Sequence, residues 1–453
     1  MTTANVINMH PEPPSEASPP PPDAPKKRVS KPKSPEFFSN LKMLRESFAL
    51  IYGTETVFDG AKRQVSKISA MKHVYQDAMD VWMKTPEKSV IMPKEVIFDP
   101  SQPKHRWNLF TPFESKPKKG DCDLIIEHCR FLCANSPEAF EWILNWCAII
   151  VQKPGVKMRT AILMHGNEGA GKNRFWEAFG AILAPYYTTI GQAELGRDFN
   201  EWASAKLFIV ANEVSTRKEK FEIPGKLKGI ISDPYIYINA KGMPPREEEN
   251  RANFVFLSNE MNPIPLGQTD RRYCVIWTPD AHPDGKAYYD RLSAQMAGGG
   301  IAAFHDFLLR RDVGEQDEYA RPPWMEAKDN VVRASLGSVD LWLIDMKEAA
   351  TQADGYDGVA FVGEEGFNRY RHWCRDANER HVVSRASFYS NIRNMLTSKR
   401  LDIGVEGSVT ARRQATVYWD SAVLTFAPEI VIEAIKRFNS RHPLPTGGNN
   451  ADF

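Results

Sequence analysis

The segment Gly166-Asn167-Glu168-Gly169-Ala170-Gly171-Lys172-Asn173 has the residue types and spacing to hold an anion. Its glycines let successive backbone N–H groups turn toward one phosphate, and a helix opening at Lys172 adds partial positive charge. The G-x4-G-K spacing sets an ammonium where it reaches the β and γ phosphates of a nucleotide. Gly166 through Asn173, with Arg174, is therefore the candidate ATP site. Asn173 stands where Ser or Thr usually offers a hydroxyl to Mg²⁺, and its amide oxygen can ligate the ion or one of its waters. Downstream, Leu207-Phe208-Ile209-Val210 reads as a buried strand ending in Ala211-Asn212-Glu213. Glu213 is the candidate for activating water, and Asn173, Asn212 and Glu213 form the candidate metal set. Two amides there give a divalent ion less negative charge than carboxylates would. Asn253 to Leu257 is a further strand, ending in Ser258-Asn259, and the Asn259 amide can orient a water if this strand neighbours the glycine-loop strand. Asp270-Arg271-Arg272 precedes another apolar run, and a guanidinium there can reach a nucleotide held by a neighbouring copy. Arg271 is the preferred residue, with Arg272 as the alternative.

These residues need a scaffold. From Thr160 onward short apolar runs alternate with helical stretches, the pattern of a mostly parallel sheet covered on both faces. Residues 121–151 are strongly helical. Cys122, His128, Cys129 and Cys133 lie close together there, but without a paired CxxC they read as core residues rather than zinc ligands. Phe37 to Tyr52 reads as an amphipathic helix. Tyr235 to Lys241 alternates like a strand, Gly242-Met243-Pro244-Pro245 breaks it, and Arg246 follows. Lys241 and Arg246 are candidate DNA contacts in this hairpin, although Glu247-Glu248-Glu249 comes next.

Residues 380–413 carry seven Lys/Arg against two acids. Ser387 to Arg400 reads as a helix bearing Arg393, Lys399 and Arg400. Leu401 to Val405 and Thr416 to Trp419 read as strands around a turn ending in Arg412-Arg413. Helix, helix and two-stranded wing suggest a winged helix with these basic residues toward DNA.

Composition restricts the partners. Lys+Arg 58 against Asp+Glu 57 leaves a formal charge of +1, so any polyanion contact must come from local patches. Mean hydropathy is −0.44, and no apolar run approaches the ~18 residues that cross a bilayer. No secretory signal opens the chain, and its six cysteines are too few for a disulfide framework, so a cytoplasmic location is expected, the host cytoplasm if phage-encoded. Ten of the 32 prolines fall in residues 1–36, which end in the basic run Lys26-Lys27-Arg28 with Lys31 and Lys33 and read as a solvated linker.

The order of the parts resembles the superfamily 3 helicases, in particular the helicase portion of phage and poxvirus-type primase–helicases. Asn108-Leu109-Phe110-Thr111, Trp146 to Gly155, Phe199-Asn200 to Glu213 and Tyr235 to Arg272 carry the likeness, which covers roughly residues 94–280. The resemblance implies an AAA+-type ATPase ring, usually a hexamer, moving 3′ to 5′ on single-stranded DNA. It sets Gly166, Gly169, Gly171, Lys172 and Asn173 on Walker A, Asn212 and Glu213 on Walker B, Asn259 on the sensor, Arg271 or Arg272 on the arginine finger, and Lys228, Lys241 and Arg246 on or near the DNA-contacting hairpin. Asn173 and Asn212 depart from the usual Ser/Thr and Asp.

The expected fold is α/β: an AAA+-like P-loop core with a helical N-terminal region and a C-terminal winged-helix-like domain. The expected divisions are a disordered tail (1–36), an N-terminal region (37–150), the ATPase domain (151–310), a C-terminal DNA-binding domain (311–443) and a flexible tail (444–453). The expected function is an ATP-dependent replicative DNA helicase of a phage, prophage or mobile element. A nucleotide-dependent DNA-binding initiator or scaffold is the alternative. ATP and Mg²⁺ are the expected cofactors. Single-stranded and forked DNA, further copies of the chain in a homo-hexamer, and a separate primase or polymerase are the expected partners, with no membrane.

Overall fold

The computed structural model describes residues 33–215, 222–241, 245–351, 358–404 and 410–444. Apart from residues 33–36 and Leu444, the tails expected at 1–36 and 444–453 lie outside the described residues. The chain divides into two compact units between Ile97 and Phe98. In the first, a helix runs from Pro35 to Ser47, with the Ser34 side chain accepting a hydrogen bond from the Phe37 N–H. It is shorter than the helix expected over Phe37 to Tyr52, because Phe48–Ile51 leaves it as a strand in the middle of a four-stranded sheet. Phe48 and Trp82 are fully buried there, and that burial outweighs the local helical pattern.

The second unit is built on five parallel strands: β1 (Ala161–His165), β2 (Tyr187–Ile190), β3 (Phe208–Ala211), β4 (Asn253–Ser258) and β5 (Tyr273–Trp277), in the order β5-β1-β4-β3-β2. β1, β3 and β4 are buried along their whole length, so their sequences are continuous apolar runs rather than alternating ones. Successive residues still feed opposite faces. Ile162, Met164, Phe208 and Val210 join one core, and Ala161, Leu163, Ile209 and Ala211 join the other.

The first of these cores is completed by α1 (Asp123–Leu132), α2 (Pro137–Gln152) and α3 (Lys172–Ile182). Residues 98–150 therefore pack with the parallel sheet, not with residues 37–97 as the expected division had it. The reason is visible in α2, whose Trp146 meets Trp176 of α3 edge-on at 6.3 Å between ring centroids. Both rings are fully buried, a contact that only the sheet's helical layer offers. All six cysteines are buried free thiols, as the core reading of the cysteine cluster anticipates.

The C-terminal residues form a three-stranded antiparallel sheet from β6 (Ala360–Val362), β7 (Thr397–Gly404) and β8 (Arg412–Trp419), in the order β6-β8-β7. The helix expected to reach Arg400 ends at Met395, and Lys399 and Arg400 lie on β7. Local pattern loses here to eight consecutive cross-strand pairs, from Thr397↔Trp419 to Gly404↔Arg412. Gly366 follows β6 on the helix Gly363–Asp376, and a Cβ on it would come within 2.2 Å of the Phe361 ring. That ring is fully buried. Gly366→Ala is expected to cost of order 1–2 kcal/mol through overpacking, read as a lower denaturant midpoint with an unchanged slope.

Candidate functional site

β1 lies inside the sheet between β5 and β4, and its C-terminal end leads through the glycine loop into α3. Gly166, Gly169 and Gly171 all have positive φ, at 144°, 94° and 75°. The first and last are also hemmed in. A Cβ on Gly166 would lie 2.7 Å from the Thr278 carbonyl oxygen, and one on Gly171 would lie 2.7 Å from the Tyr289 ring. The resulting turn leaves the N–H groups of Gly169 through Asn173 without a backbone acceptor among the described residues. They form a concave set of unused donors at a helix N-terminus.

Lys172 is buried at the base of this loop. Its Nζ donates to the Gly166 carbonyl at 2.8 Å, the Asn167 carbonyl at 2.9 Å and Asn259 Oδ1 at 2.9 Å. All three acceptors are neutral. Burial pulls the Lys172 pKa below the ordinary lysine value, and the nearby Glu168 carboxylate offsets only part of that. Asn259 arrives from the end of β4, whose Ser258 pairs in register with His165 of β1. Its Nδ2 donates to Glu168 Oε1 at 3.2 Å. Lys172, Asn259 and Glu168 are thus joined, and Asn259 occupies the neighbouring-strand position expected from the sequence. Asn167 reaches Asp280 at 2.7 Å, while Asn173 and Arg174 are exposed on the first turn of α3.

β3 lies beyond β4, so Asn212 and Glu213 stand roughly 10 Å from β1 along the same sheet edge. Asn212 Oδ1 is buried without a hydrogen-bond partner among the described residues. Glu213 is exposed and has a positive φ of 55°, a strained backbone for a non-glycine residue. No group of three or more His, Cys, Asp or Glu side chains able to hold a metal occurs among the described residues. An orphaned amide oxygen and one carboxylate at the same end of the sheet as the glycine loop are oxygen donors of the kind that fit Mg²⁺, which takes few protein oxygens and keeps several waters.

Sequence reasoning missed the layer beneath the loop. His128 of α1 is fully buried, with Nε2 3.0 Å from the Gly171 carbonyl oxygen. A carbonyl only accepts, so Nε2 carries the proton, and Nδ1 takes the Tyr288 hydroxyl at 3.3 Å. Tyr289 donates to the Gly169 carbonyl at 2.8 Å. Both tyrosines come from α4 (Gly285–Gln295), so the loop is braced by two helices far apart in sequence. Burial pushes His128 down to about 4, leaving it neutral at ordinary pH.

The remaining candidates do not converge on the loop. Arg271 and Arg272 precede β5, at the opposite end of the sheet from the glycine loop. Arg272 is tied into its own chain, donating to Ser232 Oγ at 2.7 Å and pairing with Asp270 at 3.5 Å. Arg271 is exposed, without an ion pair or hydrogen bond among the described residues. Lys228 and Lys241 are exposed, and residues 242–244 of the hairpin tip lie outside the described residues. Arg246 bonds Glu248 at 2.7 Å and Ser204 at 3.0 Å, so one of the three acids already engages it. The C-terminal basic residues divide between two faces. Arg400 and Arg412 stand opposite Thr416 and Gly404 on one face, and Arg393 is exposed on the preceding helix. Lys399 and Arg413 belong to the other face, over the Phe426 ring at 4.1 Å and beside Glu365 at 3.4 Å.

Residues 164–272 match a family of unknown function, DUF5906. They run from the last two residues of β1 through the glycine loop, β2, β3 and β4 to the Arg271-Arg272 pair. A curated relative, described as "DNA Primase-polymerase" of Nitratiruptor phage NrS-1, is 30% identical over 224 residues, covering 46% of this chain. The match spans only 30% of that relative's length. Two solved structures share the fold. An apo structure of the NrS-1 C terminal region (305-718) has a TM-score of 0.64 at 18% identity, covering 84% of this chain and 99% of that one. An A form apo structure of the NrS-1 C terminal region has a TM-score of 0.62 at 17% identity, covering 84% and 98%. These findings overturn the resemblance to superfamily 3 helicases. The named relative is a primase-polymerase, and neither it nor the matched family is described as a helicase. The replicative-helicase function, with its helicase and hydrolase labels, is corrected accordingly. No helix among the described residues is long and apolar enough to cross a membrane.

Proposed function

We propose that this chain is a DNA-replication module of a phage-type primase-polymerase system, and that it takes the phosphate chain of a nucleoside triphosphate on its glycine loop. One observation carries the triphosphate part. Lys172 is a buried cation whose three partners are all neutral oxygens, and it sits beside unused N–H donors at a helix N-terminus. A buried charge that a nearby carboxylate, Glu168, offsets only in part remains costly. A phosphate would supply the remaining counter-charge and accept from the N–H groups together.

Mg²⁺ bound with the triphosphate would neutralise phosphate charge. Asn212, Glu213 and Asn173 are the residues to hold it or its waters. Asn259 fixes the Lys172 ammonium, and His128 and Tyr289 fix the loop carbonyls so that the N–H groups stay turned to the ligand. The replication part rests on the relative described as a phage DNA primase-polymerase, together with the shared fold of the NrS-1 C terminal region. Action on DNA at this level is the reading supported for the whole chain.

The test is equilibrium titration of the purified chain with ribo- and deoxyribonucleoside triphosphates, with and without Mg²⁺, using tripolyphosphate as competitor. Saturable binding relieved by tripolyphosphate is the expected result. No binding of any triphosphate at millimolar concentration would remove the proposal.

A further inference from the structure

At the far end of the sheet from the glycine loop, the turn before β5 and the segment Arg321–Trp324 enclose a cleft of about 480 Å³. Arg271 and Arg321 line it. Both are exposed, and neither has an ion pair or hydrogen bond among the described residues. The acid in the wall does not cancel them. Asp270 is buried, accepts from the Arg272 and Tyr273 N–H groups at 2.9 and 3.3 Å, and faces Arg272 and Lys328 at 3.5 and 4.0 Å. The free charge facing the cleft is therefore two guanidinium groups.

Trp324 forms the remaining wall, with 49% of its surface exposed. It is nonetheless fixed. Its Nε1 donates to Asp329 at 2.8 Å. The buried Lys328 ammonium lies over its ring at 4.6 Å and is itself anchored on the Tyr273 carbonyl at 2.9 Å. One face of the indole is backed and its edge is tied, which leaves an immobilised aromatic face beside two free arginines. A second cleft of about 520 Å³ shares Arg321, Pro322 and Trp324 and is lined differently, by Glu138, Glu141, Asn145 and Gln316. Carboxylates repel phosphate, and carboxylates and amides together accept from and donate to the edge of a base. Glu141 is already paired with Arg311, so Glu138 is the unengaged acid of that wall.

We infer that these adjoining clefts bind single-stranded DNA, with phosphates at Arg271 and Arg321, a base stacked on Trp324, and the base edge toward Asn145 and Gln316. Guanidinium pairs and fixed aromatic faces are what a strand needs, because every nucleotide offers a charge and a π-face. The helix Glu326–Ser335 begins beside the cleft, but its first turn carries Glu326 and Asp329, acids that disfavour a terminal triphosphate there, so a polymer suits the cleft better than a free nucleotide. The inference rests on the DNA-replication reading for its choice of ligand and is independent of the glycine loop.

The test is fluorescence anisotropy of a labelled oligo(dT) of about 16 nucleotides with the full chain, across a salt series. The R271A/R321A variant is expected to bind at least 10-fold more weakly. Its slope of log K against log salt should be shallower by about 1.4, from two lost phosphate contacts. W324A is expected to weaken binding about 10-fold and W324F to restore most of it, as stacking at this position requires. Thermal melts checking that each variant folds accompany the titrations. Unchanged oligo(dT) affinity in folded R271A/R321A and W324A overturns the cleft while leaving the triphosphate proposal standing. Polyglutamate displacing the DNA from the wild type but not from these variants would assign the cleft to an acidic protein and overturn it too. Absence of any oligo(dT) binding by the wild type overturns both the cleft and the DNA reading behind it.

Discussion

Lys172→Ala is expected to weaken triphosphate binding by about 100-fold, equivalent to ~2.7 kcal/mol, while leaving the fold intact. Among the described residues, the ammonium is the one positive charge that meets the loop carbonyls directly, through Gly166 and Asn167. Its removal takes away a charge-assisted contact to the ligand, each of which contributes roughly 1.5–3 kcal/mol, together with the counter-charge to the phosphate chain. Stability should change little, because truncation also removes a buried cation that Glu168 offsets only in part. Lys172→Arg should not rescue binding. The Nζ site is bounded by three oxygens at 2.8 to 2.9 Å, and a planar guanidinium cannot enter it without breaking them. Asn259→Ala is the graded companion. It leaves the charge but unties it from β4, so its loss should be smaller and should appear with every triphosphate alike. Equal affinities for wild type and Lys172→Ala would place the triphosphate elsewhere.

The chain-order logic of the site was legible because it rests on local signals. Glycines at 166, 169 and 171, a lysine at 172, and strands ending at Ala211 and Ser258 are each readable within a few residues, and the structure sets Lys172 and Asn259 in contact. What escaped is non-local. His128 lies 43 residues before the carbonyl it bonds, and Tyr289 lies 120 residues beyond its own. Neither stands in a pattern that marks it, and His128 among cysteines invites a metal reading instead. The basic C-terminal segment failed for a different reason. Helical periodicity and charge run through Arg400, but pairing of Thr397–Gly404 with β8 sends Lys399 and Arg400 to opposite faces. One continuous patch in the sequence becomes two separate ones in space. Function was the least legible level of all. A glycine loop, a strand-end carboxylate and paired arginines in that order are compatible with more than one replication activity, and the helicase reading gave more weight to their order than the comparisons support. The parallel sheet follows from such parts; the reaction they serve does not.

Acidification should destabilise the protein through His128, and His128→Phe should remove that part of the loss. In the unfolded chain the imidazole titrates near 6.5, whereas burial holds it at about 4 in the fold. Above pH 6.5 it is neutral in both states and adds no pH dependence. Between 6.5 and 4 the unfolded chain binds a proton that the folded one refuses, so stability falls as pH falls, by about 1.36 kcal/mol per pH unit and roughly 3 kcal/mol in all. Below about 4 the folded imidazole also protonates and the loss levels off. Burial lowers His165, His305 and His442 as well, so the wild-type curve alone cannot assign the effect, and the difference between wild type and variant is the quantity to measure. At neutral pH His128→Phe should be the less stable protein by roughly 1–2 kcal/mol, because the Gly171 carbonyl and the Tyr288 hydroxyl lose their partner. Near pH 4 the order should reverse, since phenylalanine has no proton to exclude. Urea midpoints taken at half-unit steps of pH would show the two curves crossing. Parallel curves would mean that His128 does not stay neutral beneath the loop, and the account of how Gly171 is held in place would fail with it.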